Sequence, residues 1–397
     1  MQKILLIVIL LLPYPAIASD PVPIQLQPNI IQQLSAVERI DLLVESAIRR
    51  GLITGGVVHV GSLDGTLFEK GYGRIAPEGT ARPIAPDTIF DLASLTKVVA
   101  TTTAVMKLAE EGKLSLVDPL RRWFPELEGK GKDDLLILNL LTHTSGLDDF
   151  SFDPAAPLQS AINGAAGQKL KGDLGSRFHY ADINFILLAE VVRRVSGETL
   201  DVYAARKFYA PLGMKDTGFH PPAGKYGRIA PTFADGTALV GLPQDYPARQ
   251  LGGVAGHAGL FSTAGDLALF CRMILAEGEL GDRRVLEART VRQMTAPYFS
   301  RGGRVIRGLG WDIASPFSTP RGGLFSRSSF GHTGYSGTSI WIDADAGVFV
   351  ILLTSRLEYR KKTDFSQLRG ALSTLAAEAF GLLVSLSELE ETDGGAL

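Results

Sequence analysis

The chain has 397 residues, 45% of them hydrophobic and 21% charged. That balance excludes disordered, collagenous and coiled-coil proteins and leaves enough length for a large buried core. Forty basic against forty-two acidic side chains give a formal net charge of −2, so no global field exists for nucleic acid or anionic lipid, and no nucleic-acid partner is expected. The one cysteine, Cys271, cannot close an internal disulfide, and its setting in Leu267-Ala268-Leu269-Phe270-Cys271 reads as core packing rather than as a nucleophile.

Met1-Gln2-Lys3, the apolar run Ile4 to Leu12 and the break ending in Ala16-Ile17-Ala18 predict a signal peptide over 1–18. The run is too short to span a bilayer comfortably, and no later segment is both long enough and free of charge. The expectation is an exported chain, periplasmic or secreted, beginning near Ser19 with no stable membrane span after cleavage. Val37, Ile40, Leu42, Leu43 and Ile48 lie between charges and predict a helix over 36–50. Strands follow at 55–61 and 66–72 around Leu63-Asp64-Gly65, a hairpin signal. Val98, Val99, Val105, Leu108 and Ala109 predict a helix from Ser94 to a C-cap at Gly112.

Further helices are predicted at 134–142, 183–196, 200–208 and 264–277, with long Gly/Pro/Ala-rich connections at 146–176 and 219–256. Strand patterns return near the C-terminus at 338–343 and 347–354, and a helix over about 365–383 precedes an acidic tail at 385–397. No repeat of fixed period is present. Strands at both ends around a helical middle predict an α/β fold of the α+β sandwich kind. One antiparallel sheet with flanking helices would come from 19–86 and 300–384, and 87–299 would form an inserted, mostly helical region.

Six histidines are too dispersed for a common zinc pattern, and H-E-x-x-H, cysteine clusters, G-x-S-x-G, P-loop and dinucleotide fingerprints are all missing. No metal and no cofactor is expected. What remains is Ser94-Leu95-Thr96-Lys97. A serine three positions before a lysine on a helix shares its face, so the ammonium can reach the hydroxyl. A helix N-terminus there would favour developing anions and disfavour a protonated lysine. The pattern alone also fits an ordinary helix cap beside a solvated lysine.

The stretch Phe90-Asp91-Leu92-Ala93-Ser94-Leu95-Thr96-Lys97 resembles the nucleophile region of class C-type serine β-lactamases, penicillin-binding proteins and their esterase relatives. Phe178-His179-Tyr180-Ala181-Asp182 is similar to the family's Tyr-x-Asn block, and Gly331-His332-Thr333-Gly334-Tyr335 to its Lys-Thr-Gly block, in the same order. Blocks around His143 and His257 resemble structural landmarks. The resemblance covers about 35–383 and implies a β-lactamase/transpeptidase-like fold.

By that resemblance Ser94 is the nucleophile that forms an acyl-enzyme, and Lys97 and Tyr180 share the base role. The backbone N–H groups of Ser94 and Tyr335 form the oxyanion hole, and Asp182, His332, Thr333 and Gly334 bind substrate. His332 stands where the family has lysine, and Asp182 where it has an asparagine amide. Both changes weaken attraction for an anionic β-lactam.

The implied function is a serine acyl hydrolase acting on an ester or a D-amino-acid amide such as a cell-wall peptide, with peptidoglycan a candidate partner. The alternatives are a class C-like β-lactamase and a non-catalytic sensor or scaffold that keeps the fold. Arg301, Arg304, Arg307, Arg321 and Arg327 form either a solvated loop or, together with Arg356, the pool from which one arginine takes over the carboxylate contact.

Overall fold

A computed structural model describes residues 34–76, 82–234, 236–302, 305–357 and 359–380. The signal segment 1–18, Arg304 and the tail 385–397 lie outside the described residues.

Helix α1 (Ala36–Arg49) opens on a capping box, in which the Glu38 N–H donates to Ser35 Oγ and the Glu38 carboxylate accepts the Ser35 N–H at 2.8 Å. It leads into β1 (Ile53–Ser62) and β2 (Thr66–Gly73), the hairpin expected from Asp64-Gly65. The C-terminal half supplies β3 (Phe299–Arg301), β4 (Val305–Arg307), β5 (Asp312–Ala314), β6 (Phe330–Thr333), β7 (Ser339–Asp343) and β8 (Val348–Arg356). These eight strands form one sheet in the order β2-β1-β8-β7-β6-β5-β4-β3, antiparallel throughout. The two chain ends meet where β1 pairs with β8, Val57 opposite Leu353.

Both faces of the central strands are covered, which explains why they read as continuous apolar runs. Successive residues alternate between two cores. Val57, Ile340, Ile342, Ile351 and Leu353 face the helical region. Val58, Val60, Trp341, Val350 and Leu352 pack under α1 and the C-terminal helix.

The helical region includes α2 (Thr103–Glu110), α3 (Ile183–Ser196) and α4 (Ala264–Leu275), and α5 (Lys362–Ala379) returns across the sheet. Cys271 is fully buried in α4, and burial pushes its thiol far up. Among the described residues, no helix is long and apolar enough to cross a membrane.

Three expectations change. The helix from Ser94 to Gly112 is a tight turn at Ala93–Leu95, a wide π-helical stretch at Lys97–Thr102, and only then α2. Val98, Val99, Ala100, Thr101 and Thr102 are all fully buried, so the segment has no solvent face to give it a stripe. The 146–176 connection carries a helix at Pro157–Gly167, and 219–256 a short hairpin, Thr232–Ala234 with Thr237–Leu239, and a helix at Tyr246–Gln250. Strands β3, β4 and β5 are three residues each, too short for an alternating pattern.

Candidate active site

The turn carrying Ser94 is held from several sides. Phe90–Asp91 pairs with Phe261–Ser262, and the Leu92 N–H donates to the Leu260 carbonyl at 2.9 Å. The buried Asp91 carboxylate accepts the Ala93 N–H at 2.9 Å and the Gln244 N–H at 2.7 Å. Burial pushes Asp91 up to about 6 against those two donors. From the β6–β7 turn, Ser336 Oγ donates to the Asp91 carbonyl and Thr338 Oγ1 to the Leu92 carbonyl, at 2.6 and 2.9 Å. Between these anchors Ala93 adopts φ +46°, a left-handed conformation that costs a non-glycine residue about 1–2 kcal/mol.

Lys97 is fully buried behind Ser94. Its ammonium donates to Ser94 Oγ at 3.0 Å and to the His257 carbonyl at 3.0 Å, and lies 2.6 Å from Asp182 Oδ1. Burial opposes the charge, yet Asp182 and Tyr180 outweigh it and hold Lys97 above the ordinary lysine range. This reverses the expectation of a helix end that discharges the lysine: Lys97 does lie at the start of a continuous helical run to Glu110, but a carboxylate faces its ammonium.

Tyr180 and Asp182 precede α3. The segment after Leu141 cradles them: the His143 ring stacks on Tyr180 at 4.4 Å between centroids, and His143 Nδ1 meets the Ala181 N–H and Asn184 Nδ2. The Lys97 ammonium lies 5.0 Å from the Tyr180 ring centroid, and burial pushes the phenol up despite the opposing pull of Lys97. A phenol lowered by the lysine is therefore not its resting state.

On β6, His332 Nδ1 lies 2.9 Å from the Thr333 carbonyl, so that nitrogen carries the proton. Burial, with Arg307 and Lys97 nearby, holds the ring well below the ordinary imidazole range, hence neutral. Ser94, Tyr180, His332, Thr333, Gly334 and Tyr335 line one cleft of about 380 Å³. All the expected site residues except Asp182 and Lys97 thus share a wall of it, and those two stand together behind the serine.

The arginines sort differently from expectation. Arg307 is not solvated: it is buried, 3.1 Å from Asp312 Oδ1 and 3.0 Å from the Gly310 carbonyl. Arg356 lines the cleft and donates to the carbonyls of Tyr335 and Tyr359. Sequence reasoning missed Lys362 and Arg369, which α5 brings to the same wall. Arg369 is buried, and burial with the neighbouring Arg356 pushes it down to about 9. Among the described residues, donor atoms of Asp182, Asp245 and His257 lie within 4.8 Å of one another, a spacing that suits a cation, and Lys97 supplies one there.

The fold and this arrangement agree with what the chain resembles. The Beta-lactamase family model matches residues 38–371, and the chain belongs to that family, in the superfamily of serine β-lactamases and penicillin-binding proteins. It is 34% identical over 307 residues, 68% of this chain and 69% of the relative, to a protein of Escherichia coli K12 described as "Putative D-alanyl-D-alanine carboxypeptidase". Two solved structures share the fold. A penicillin-binding protein homologue from Caulobacter crescentus has TM-score 0.71 at 21% identity, covering 86% of this chain and 98% of that one. A class C β-lactamase from Rhodobacter sphaeroides has TM-score 0.70 at 19% identity, covering 84% and 98%.

Proposed function

We propose that this protein is an exported serine hydrolase that forms a Ser94 acyl-enzyme on an ester or D-amino-acid amide, with a cell-wall stem peptide as the substrate class. The observation that carries the reading is a serine hydroxyl 3.0 Å from a buried lysine ammonium at a cleft whose wall also bears Lys362 and Arg369. Ser94 attacks the carbonyl, Lys97 and Tyr180 handle its proton, and the backbone N–H groups of Ser94 and Tyr335 receive the oxyanion. Thr333 and Gly334 present the β6 edge to the substrate, and water resolves the acyl-enzyme.

Neutral His332 gives a substrate carboxylate little attraction at the position where the family carries lysine. The cations of α5 take that task, which suits a peptide ending in a free carboxylate. The relative described as a D-alanyl-D-alanine carboxypeptidase points the same way. A silent scaffold is disfavoured because Ser94, Lys97 and Tyr180 are all present and in contact. The test is release of D-alanine from an acylated D-Ala-D-Ala peptide, compared with hydrolysis of a chromogenic cephalosporin and of an activated ester. Ser94-dependent D-alanine release faster than cephalosporin opening supports the reading; the reverse order makes the protein a β-lactamase.

A further inference from the structure

The Lys97 ammonium donates hydrogen bonds to Ser94 Oγ and the His257 carbonyl, and stands in ion-pair contact with Asp182 Oδ1 at 2.6 Å. A protonated amine cannot take a proton from serine. Loss of its proton to water is opposed by the carboxylate beside it, so a reaction that waited for that loss would be slow at neutral pH and would accelerate with rising pH. The carboxylate that raises this barrier is also placed to remove it.

We propose that Asp182 is the acceptor of the Lys97 proton during attack, so that Ser94 is deprotonated through a Ser94–Lys97–Asp182 relay. Lys97 Nζ passes a proton to Asp182 Oδ1, and the lone pair this frees on Nζ takes the Ser94 hydroxyl proton as Oγ bonds to the substrate carbonyl carbon. The result is a tetrahedral oxyanion, an ammonium and a neutral Asp182 carboxyl. When the intermediate collapses, the ammonium protonates the leaving oxygen or nitrogen and recovers the proton held by Asp182, restoring the resting ion pair. No proton is exchanged with solvent before attack, so the relay does not wait for one to be lost.

An amide at position 182 could accept a hydrogen bond from Lys97 but could not take its proton. The aspartate is therefore a difference in mechanism as well as in substrate contact. Other ionisable groups face the pair: Tyr180 beside it, Asp149 whose carboxylate accepts the Ile183 N–H, Asp245 and His257 across from it, and His143, His332 and Arg307 around Tyr180.

The inference rests on Ser94 being the nucleophile, and its test reads the two separately. Activated-ester hydrolysis is followed from pH 6 to 9 for wild type, Asp182→Asn, Asp182→Glu and Asp245→Asn, with the rate of Ser94→Ala subtracted. The relay predicts that wild-type kcat/KM at pH 6 stays within about threefold of its value at pH 9. Asp182→Asn must lose its proton to solvent and falls at least about tenfold from pH 9 to pH 6. Asp182→Glu keeps a flatter profile than Asn, and Asp245→Asn keeps the wild-type ratio whatever its absolute rate. A wild-type rate that climbs tenfold or more from pH 6 to 9, or an Asn variant parallel to wild type, overturns the relay and leaves the nucleophile standing. A wild type no faster than Ser94→Ala overturns both. A merely structural Asp182 would lower the rate equally at every pH.

Discussion

The Arg369 guanidinium donates to the carbonyls of both Gly334 and Thr338, each at 2.7 Å, so α5 clamps the two ends of the turn that closes β6 onto β7. The same side chain lies on the cleft wall. It joins the C-terminal helix to the edge along which a substrate would lie.

Loss of cation from this wall is expected to separate charged from neutral substrates. Lys362→Ala, at an exposed position, should raise KM several-fold for a peptide with a free C-terminal carboxylate and leave a neutral ester within about twofold. Arg369→Ala should raise the peptide KM at least about tenfold, in line with loss of a charge-assisted contact, and should also loosen the turn. Steady-state kinetics on the two substrates check both, and equal losses on peptide and ester would remove the carboxylate role.

Gly334 admits no side chain. A Cβ there would stand 2.0 Å from Thr338 Oγ1 and 2.4 Å from the Leu92 carbonyl, pushing the β6–β7 turn away from the Ser94 turn. Gly334→Ala is expected to lose about 1–3 kcal/mol of stability and most of its Ser94 acylation. A thermal melt and an acylation time course read the two effects, and wild-type values in both would contradict the packing described.

Asp91 links stability to pH. Its folded pKa is raised to about 6 above an ordinary aspartate near 4, so the folded state holds this proton more tightly than the unfolded state. The associated stability is fully present below about pH 4 and is lost as pH rises through 6, amounting to about 2–3 kcal/mol. Asp91→Asn mimics the protonated form and carries no such loss. Its Tm relative to wild type should therefore rise between pH 5 and pH 8. A difference that does not change with pH would show that Asp91 does not titrate there.

Cys271 is fully buried with its thiol pushed far up. A thiol reagent should label no cysteine in the native protein and one after denaturation. Prompt native labelling would mean that α4 opens on the timescale of the assay.

The two-ended sheet was legible because β1, β7 and β8 are apolar runs bounded by turn residues, and the hairpin because Asp64-Gly65 announces it. Ser94, Tyr180 and His332 were legible because each lies in a short block whose order along the chain is itself informative. The Lys97–Asp182 contact was not: the two residues are distant in sequence, and only folding brings a carboxylate against the ammonium and reverses the expected shift. Lys362 and Arg369 were hidden for a related reason, since on a sequence of mixed charges nothing distinguishes the helix face that meets a cleft from the face that meets water. The helix after Ser94 was legible but its π winding at Lys97–Thr102 was not, because a segment buried on every side carries no period that distinguishes one winding from another.

The proposed function depends on a covalent acyl group forming on Ser94. Intact-mass spectrometry after incubation with a fluorescent penicillin and, separately, with an activated ester tests it most directly. An adduct of the corresponding acyl mass is expected on wild type with at least one reagent, mapping to Ser94, and none on Ser94→Ala. An adduct that survives Ser94→Ala, or wild type that neither labels nor turns over either reagent, would contradict it.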